Sequence, residues 1–173
     1  MIKKNLILMF IILMFSNFAY SAETGSDSSE DPAYKFGRED ITHLIGKNSN
    51  FKRATDAIKQ AKRYAKKGKS NKAKKRFNDA IGFLILANEE NPNEPNILNY
   101  LGYSLKKVDD FVMAEIYYEQ GLAIDPLHIA INEHLGRLYL ETNRTLKAKE
   151  RLKVLENCKC DEFNELQILI SKH

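Results

Sequence analysis

Residues 102–126 read GYSLKKVDDFVMAEIYYEQGLAIDP and predict two helices packed side by side. Asp109 and Asp110 form the turn between them. Small and aromatic residues recur at helical spacing on both sides of this turn: Gly102, Ala114, Tyr118 and Gly121. Small side chains allow two helices to approach closely, and the Tyr118 ring would fill the remaining gap. Pro126 ends the second helix, because proline lacks the N–H group and clashes with the preceding turn.

The same pattern returns 34 residues later in the chain. There the matching residues are Leu135, Gly136 and Tyr139, followed by Ala148, Leu152 and Leu155, with Asn143 at the turn and Cys160 in the place of Pro126. An earlier copy is marked by Ala57, Ala61 and Tyr64, then Gly68, then Ala73, Phe77 and Ala80. Its second helix continues the spacing through Leu84 and Ala87, so we predict a longer helix that ends at Pro92.

This period and its small/aromatic/proline pattern resemble the tetratricopeptide repeat (TPR), in a protein of exported bacterial type. The resemblance implies an all-α fold: an α-solenoid of about three helix-turn-helix repeats closed by a C-terminal capping helix. The predicted TPR-like domain spans 51–172, with repeats at 54–92, 95–128 and 129–160 and a capping helix at 161–172. Asp161 is the predicted N-cap of that helix. Its apolar side is predicted to comprise Phe163, Leu166, Ile168 and Ile170.

The first 22 residues have the layout of a secretory signal peptide. Two lysines (3–4) precede an unbroken apolar run (6–15), and small residues at 19–22 offer a cleavage site. Polar residues at 16–17 interrupt the run before it reaches the roughly 20 apolar residues of a membrane span. We therefore expect a cleaved signal peptide and a periplasmic or otherwise exported protein, with a retained anchor as the alternative.

Charge is distributed unevenly along the chain. Residues 22–33 hold four acids and no base, residues 34–77 hold fifteen bases and three acids, and residues 78–173 hold ten bases and sixteen acids. The small, polar and acidic composition after the signal peptide predicts a flexible linker within 23–50. A short helix over 39–45 is an open alternative for its last part.

Candidate ligand contacts lie on the first helix of each repeat, because in TPR domains these helices line the concave face. Residues of that face outside the core pattern form what we call the inner row: Lys62, Asn99, Tyr103, Lys106, Glu133, His134 and Arg137. An aromatic ring among charged and amide groups suits a peptide or helix of a protein partner. A solvated groove with no ligand is the alternative.

A second candidate surface is strongly basic. Twelve Lys or Arg residues lie within 52–76, where Asp56 is the only acid. The basic patch is defined by Lys59, Lys66, Lys67, Lys74, Lys75 and Arg76. It would attract an acidic partner or an anionic membrane surface. Nucleic acid is not expected for an exported protein, and a merely solvated face is the alternative.

Cys158 and Cys160 are the only cysteines. Two thiols separated by one residue suit a disulfide, packing at a repeat boundary, or soft-metal binding. His128 and His134 are expected at the surface or at a boundary. No nucleophile–base pair, phosphate loop or paired-carboxylate motif occurs, so we expect no enzyme and no cofactor. The leading function class is a scaffold or adaptor for protein–protein interaction, for which we expect a place in cell-envelope assembly. The alternatives are electrostatic binding through the basic patch and a thiol or metal protein.

Overall fold

The computed structural model describes residues 49–173. These residues form seven helices and no strand: α1 Ser49–Lys66, α2 Ser70–Glu90, α3 Pro95–Lys106, α4 Phe111–Ile124, α5 Ile129–Glu141, α6 Thr145–Val154 and α7 Asp161–Ser171. The predicted signal peptide (1–22), the linker up to residue 48 and the helix over 39–45 lie outside the described residues. Ser49 and Asn50 belong to α1, so the repeat domain begins before the predicted residue 51.

Each helix packs against the next along the chain, and α7 packs against both α5 and α6. This arrangement confirms the all-α solenoid of helix hairpins. The turns fall where the breakers predict them. Each of four turns places one residue in the left-handed backbone region, with φ of 67° at Gly68, 63° at Asn93, 69° at Asp109 and 58° at Asn143. Glycine, asparagine and aspartate are the residues that tolerate this conformation.

A short polar side chain caps α4, and a proline begins α3. Asp110 caps α4, because its carboxylate accepts a hydrogen bond from the Met113 amide at 3.1 Å. At α3, Pro95 occupies the first helical position, where no N–H group is needed. The second helix of the first repeat is the longest, and it ends at Glu90, shortly before Pro92.

The predicted close approach of α3 and α4 is confirmed. A Cβ atom added to Gly102 would lie 2.5 Å from Cε1 of Tyr118, which is itself fully buried. Glycine is therefore the only residue that fits opposite this ring. Two further glycines allow close packing between elements. Gly121 faces Ile131 of the next repeat, and Gly136 faces Leu166 of the capping helix.

The capping helix differs from its prediction in two details. It spans Asp161–Ser171, close to the predicted 161–172, but its N-cap is Cys160 and not Asp161, and Cys160 makes no side-chain capping bond. Leu166 is fully buried against Gly136, as a cap requires. Ile168, however, is 53% exposed, whereas Leu169 and Ile170 pack on the core. A helix turns 100° per residue, so the side of α7 that contains Leu166, Leu169 and Ile170 leaves Ile168 towards solvent.

Candidate functional site

The inner row comes together as one connected group of side chains. Tyr103 on α3 lies beside His134 on α5, with ring centroids 5.7 Å apart. Nδ1 of His134 donates a hydrogen bond to Oδ1 of Asn99 at 2.7 Å. The Lys62 amine on α1 lies 5.2 Å from the centre of the Tyr103 ring. Side chains from three first helices thus lie together in one group.

Aromatic contacts extend this group into the core. Phe77 on α2 meets the edge of the Tyr103 ring at 6.0 Å between centroids. Tyr118 on α4 lies 5.7 Å from His134 in the same way. Such pairs contribute about 0.5–1.5 kcal/mol beyond the burial of their area. His134 and Tyr103 therefore join helices of all three repeats, a role that the sequence did not reveal.

Four inner-row residues are buried, which corrects the expectation of an open groove. Asn99, Tyr103, Glu133 and His134 each have less than 5% of their surface exposed. Their positions are covered because first helices of a solenoid lie between the neighbouring repeats. His128 is also buried, where it caps α5 by accepting a hydrogen bond from the Ile131 amide at 3.2 Å. Neither histidine lies at the surface, but His128 occupies a repeat boundary, which was the other expected position.

An ion-pair chain connects the inner row to the capping helix. Arg137 pairs with Glu133 through its Nε, and its Nη2 lies 2.7 Å from Oε2 of Glu165 on α7. Lys106 pairs with Glu141 at 2.5 Å. Glu165 belongs to the site although no sequence signal singled it out, since its position depends on how the capping helix docks.

Burial governs the protonation of Glu133 and His134. Desolvation raises the pKa of Glu133 to about 7, although Arg137 and Lys106 act in the opposite direction. Burial also lowers the pKa of His134 well below its usual value, and the charge of Arg137 adds to this effect. His134 is thus a neutral ring at neutral pH, and Glu133 exchanges its proton close to that pH.

Among the inner-row residues, solvent reaches only the cations. Lys62, Lys106 and Arg137 are half-buried, whereas the four remaining inner-row residues are buried. Lys107 is also half-buried, and its amine lies 5.6 Å from the centre of the Tyr103 ring. The accessible inner-row side chains are therefore cations, and the solvent-accessible carboxylates of Glu141 and Glu165 pair with two of them.

The basic patch lies on the exposed side of α1, on the first turns of α2 and on the turn between them. Two of its cations form ion pairs. Lys74 pairs with Asp109 at 2.5 Å, and Arg76 pairs with Asp79 at 3.0 Å. Within residues 49–173, no ion pair is made by Lys59, Lys66, Lys67, Lys69, Lys72 or Lys75, and all six are exposed. An open depression of about 250 Å³ beside them is lined by Gln60, Arg63, Tyr64 and Lys67.

The two cysteines form a disulfide, with Cα atoms 5.2 Å apart. Among residues 49–173, no cluster of three or more His, Cys, Asp or Glu side chains is arranged to hold a metal ion. The helices of the same range also include none with the length and apolar character needed to cross a membrane.

Comparison with known proteins identifies the fold. No family model and no curated protein matches the sequence. Solved TPR domains do match the structure. The first TPR of Spaghetti (RPAP3), bound to the HSP90 peptide SRMEEVD, is 18% identical, with 70% of this chain and 94% of that chain covered and a TM-score of 0.51.

Two further TPR structures are similar to the same extent. The type III secretion chaperone SycD of Yersinia enterocolitica, in complex with a peptide of the translocator YopD, is 17% identical over 68% of this chain and 86% of that chain, with a TM-score of 0.51. The TPR2B domain of yeast Sti1, in complex with pHsp70, is 17% identical over 69% of this chain and 94% of that chain, with a TM-score of 0.50. The described chain thus has a TPR-like fold, as the repeat pattern predicts.

Proposed function

We propose that this protein is a non-enzymatic interaction scaffold that binds a peptide or helix of a protein partner along the inner row. Two of the similar TPR structures contain bound peptides, an HSP90 peptide in one and a YopD peptide in the other. The repeats of this chain bring three first helices together at one connected site in the same fold. These observations support peptide binding on the inner row.

The single observation that carries the proposal is the positive edge of the inner row. The amines of Lys62 and Lys107 lie 5.2 and 5.6 Å from the centre of the buried Tyr103 ring. A peptide at this edge meets these ammonium groups. Carboxylate side chains are attracted to such a surface. The partner segment that fits is therefore acidic.

Reversal of two charges tests this proposal. Peptides selected from a random display library against the protein should be rich in Asp and Glu. Lys62→Glu combined with Lys107→Glu should weaken their binding at least tenfold, because like charges then face each other. Lys149→Glu with Lys153→Glu makes the same charge change on exposed positions of α6 and is the matched control. Equal affinity of the two variants would exclude the inner row as the binding site.

We propose further that the scaffold acts outside the cytoplasm, in cell-envelope assembly. The basic, apolar and small-residue segments of the first 22 residues support export. Sequencing the N-terminus of the protein from a bacterial periplasmic fraction tests this. A mature N-terminus near Ala22 is expected. A protein that starts at Met1 in the cytoplasmic fraction would contradict export.

A second candidate function is electrostatic binding through the basic patch. It is favoured by the six exposed lysines that have no ion pair within residues 49–173. Each Lys near an anionic membrane contributes about 1 kcal/mol to binding. Flotation with vesicles that contain anionic lipid, compared with purely zwitterionic vesicles, tests the membrane form of this function. Equal flotation with both vesicle types would contradict it.

A further inference from the structure

The Cys158–Cys160 disulfide lies in the connection between the last repeat and the capping helix. It joins residues only two apart in sequence. Cys160 is the residue immediately before α7, and both cysteines are partly exposed. Cys158 packs against the hydrophobic core, and neither cysteine is fully buried.

This disulfide adds little to the stability of the fold. A cross-link stabilises a protein mainly by restricting the unfolded chain, and its effect grows with the size of the closed loop. The loop closed by this disulfide contains only one residue, Lys159, between the two cysteines. The contact between the last repeat and the capping helix is stabilised instead by Leu166 against Gly136 and by the Arg137–Glu165 ion pair.

The residue enclosed by the cross-link has an unfavourable backbone conformation. The two Cα atoms are 5.2 Å apart, and Lys159 between them has a φ of 51°. A residue with a side chain seldom adopts this left-handed conformation, because its Cβ atom crowds the following carbonyl group. Reduction releases this constraint. The balance between disulfide and dithiol is thereby moved towards the dithiol.

We propose that the Cys158–Cys160 disulfide is a thiol–disulfide exchange site that oxidises the dithiols of a protein substrate. A substrate thiolate attacks one sulfur of the disulfide, and the other sulfur leaves as a thiolate. A second substrate thiolate then attacks the mixed disulfide and releases the first cysteine. Two electrons pass from the substrate dithiol to the protein. The substrate gains a disulfide, and the protons of its two thiols end on Cys158 and Cys160.

The surroundings of Cys160 fit a leaving thiolate. It stands at the N-terminal end of α7, where the amide groups of the first turn favour negative charge. Lys159 adds a cation beside it. Asp161 and Glu162 in the first turn of α7 act in the opposite sense. The exchange therefore depends mainly on the loop geometry.

Equilibration of the protein in buffers of reduced and oxidised glutathione tests the proposal. The fraction of disulfide is followed by alkylation of free thiols and mass spectrometry. We expect the midpoint to lie in the range of thioredoxin and protein disulfide isomerase. A disulfide that persists at a large excess of reduced glutathione would show a purely structural cross-link, and the proposal would be wrong.

Substitution of Lys159 tests the role of the backbone. Glycine adopts a positive φ without the steric cost. Lys159→Gly should therefore shift the equilibrium about threefold to tenfold towards the disulfide, which corresponds to about 14–30 mV. Lys159→Ala removes the same charge but keeps the Cβ atom, and it is the matched control. Equal shifts in the two variants would rule out the backbone conformation as the cause.

A catalytic readout completes the test. A synthetic peptide that carries two reduced cysteines and a fluorophore pair reports its own oxidation. The oxidised protein should convert it stoichiometrically, and catalytically when oxidised glutathione is supplied. The Cys158→Ser, Cys160→Ser double variant should be inactive while its melting temperature falls by only a few degrees. Should that variant fail to fold, the dithiothreitol-reduced protein provides the same inactive state, and peptide oxidation by the reduced form would refute the proposal.

Discussion

Helices α3 and α4 of the middle repeat differ in burial in a way that opposes their composition. In α3, which contains Asn99 and Ser104, every residue from 97 to 105 is buried. In α4 most residues are apolar, yet only Ala114, Tyr118 and Gly121 are buried, and Val112 is 71% exposed. Hydrophobicity alone would assign these helices to the wrong environments.

The difference follows from the position of each helix in the solenoid. α3 packs against α2, α4 and α5, whereas α4 packs against α3 and α5. The first helix of a repeat lies between its neighbours, and the second helix keeps one side towards solvent. The small residues on α4 mark its narrow buried side more reliably than its apolar residues do. Burial in a repeat protein is thus determined by architecture as well as by side-chain type.

The largest expected effect separates Tyr103 on α3 from Val112 on α4. Tyr103→Ala should destabilise the protein by about 3–5 kcal/mol, since it leaves a cavity against Phe77 and His134. Val112→Ala should change the free energy of unfolding by less than about 0.5 kcal/mol. This revises the view of the inner row as a surface that contributes little to folding. Urea unfolding of both variants measures the difference, and similar midpoints would contradict the burial contrast.

A smaller effect is expected at the glycine between the two helices. Gly102→Ala places a methyl group within 2.5 Å of the Tyr118 ring, so we expect a loss of about 1–3 kcal/mol. Gly82→Ala on α2 meets no atom within 4 Å and should stabilise the helix by about 0.5–1 kcal/mol. Thermal unfolding measures both variants, and we expect a lower melting temperature for Gly102→Ala and a higher one for Gly82→Ala. A stabilised Gly102→Ala variant would show that α3 and α4 do not approach as closely as described.

Much of the fold was predictable, because the repeat pattern encodes local requirements. Gly102 against Tyr118, the left-handed turn residues and the long second helix of the first repeat depend on spacing, side-chain size and backbone conformation. Each of these can be read from a few neighbouring residues. The seven inner-row residues were likewise assigned to one site from their register alone.

The burial and pairing within that site were not predictable in the same way. Glu133 is buried because neighbouring repeats enclose α5, and its partner Arg137 reaches Glu165 on the capping helix. Both facts depend on contacts between residues far apart in sequence. The N-cap of α7 at Cys160 and the outward direction of Ile168 similarly depend on how the capping helix docks.

The buried carboxyl group of Glu133 makes the stability of the protein depend on pH near neutrality. Its pKa is raised to about 7 in the folded protein, above its unfolded value. The folded state therefore holds the proton more strongly, and stability from this group is lost as pH rises from about 5 to 7. The pKa of His134 is lowered, and its contribution has the opposite sign. Arg137, Lys106 and Glu165 are the other charges that act on Glu133.

Glu133→Gln isolates this contribution, since His134 is common to both proteins. Relative to the variant, the wild-type protein should lose about 2 kcal/mol of unfolding free energy between pH 5 and pH 7. Arg137 keeps its Glu165 partner in the variant. The measurement is urea unfolding at several pH values. A constant difference across this range would mean that Glu133 ionises as it does in the unfolded chain.

The smallest effect on stability is expected at the basic patch, the opposite extreme from the buried α3. Changing Lys66, Lys67, Lys69 and Lys75 to Gln should alter the free energy of unfolding by less than about 0.5 kcal/mol, because all four are exposed and make no ion pair within residues 49–173. Lys74 is left intact, since it pairs with Asp109.

Their expected role is in the rate of association with an acidic peptide. Exposed charges act over about 8–10 Å at physiological salt, so they accelerate encounter more than they retain a bound partner. The four changes should slow association and flatten its salt dependence, while dissociation from the inner row stays nearly constant. Stopped-flow measurements at two salt concentrations separate these rates, with Lys149→Gln and Lys153→Gln as the control on α6. A wild-type association rate that does not respond to salt would mean that the basic patch is only a solvated surface, and the contrast with α3 would then concern folding alone.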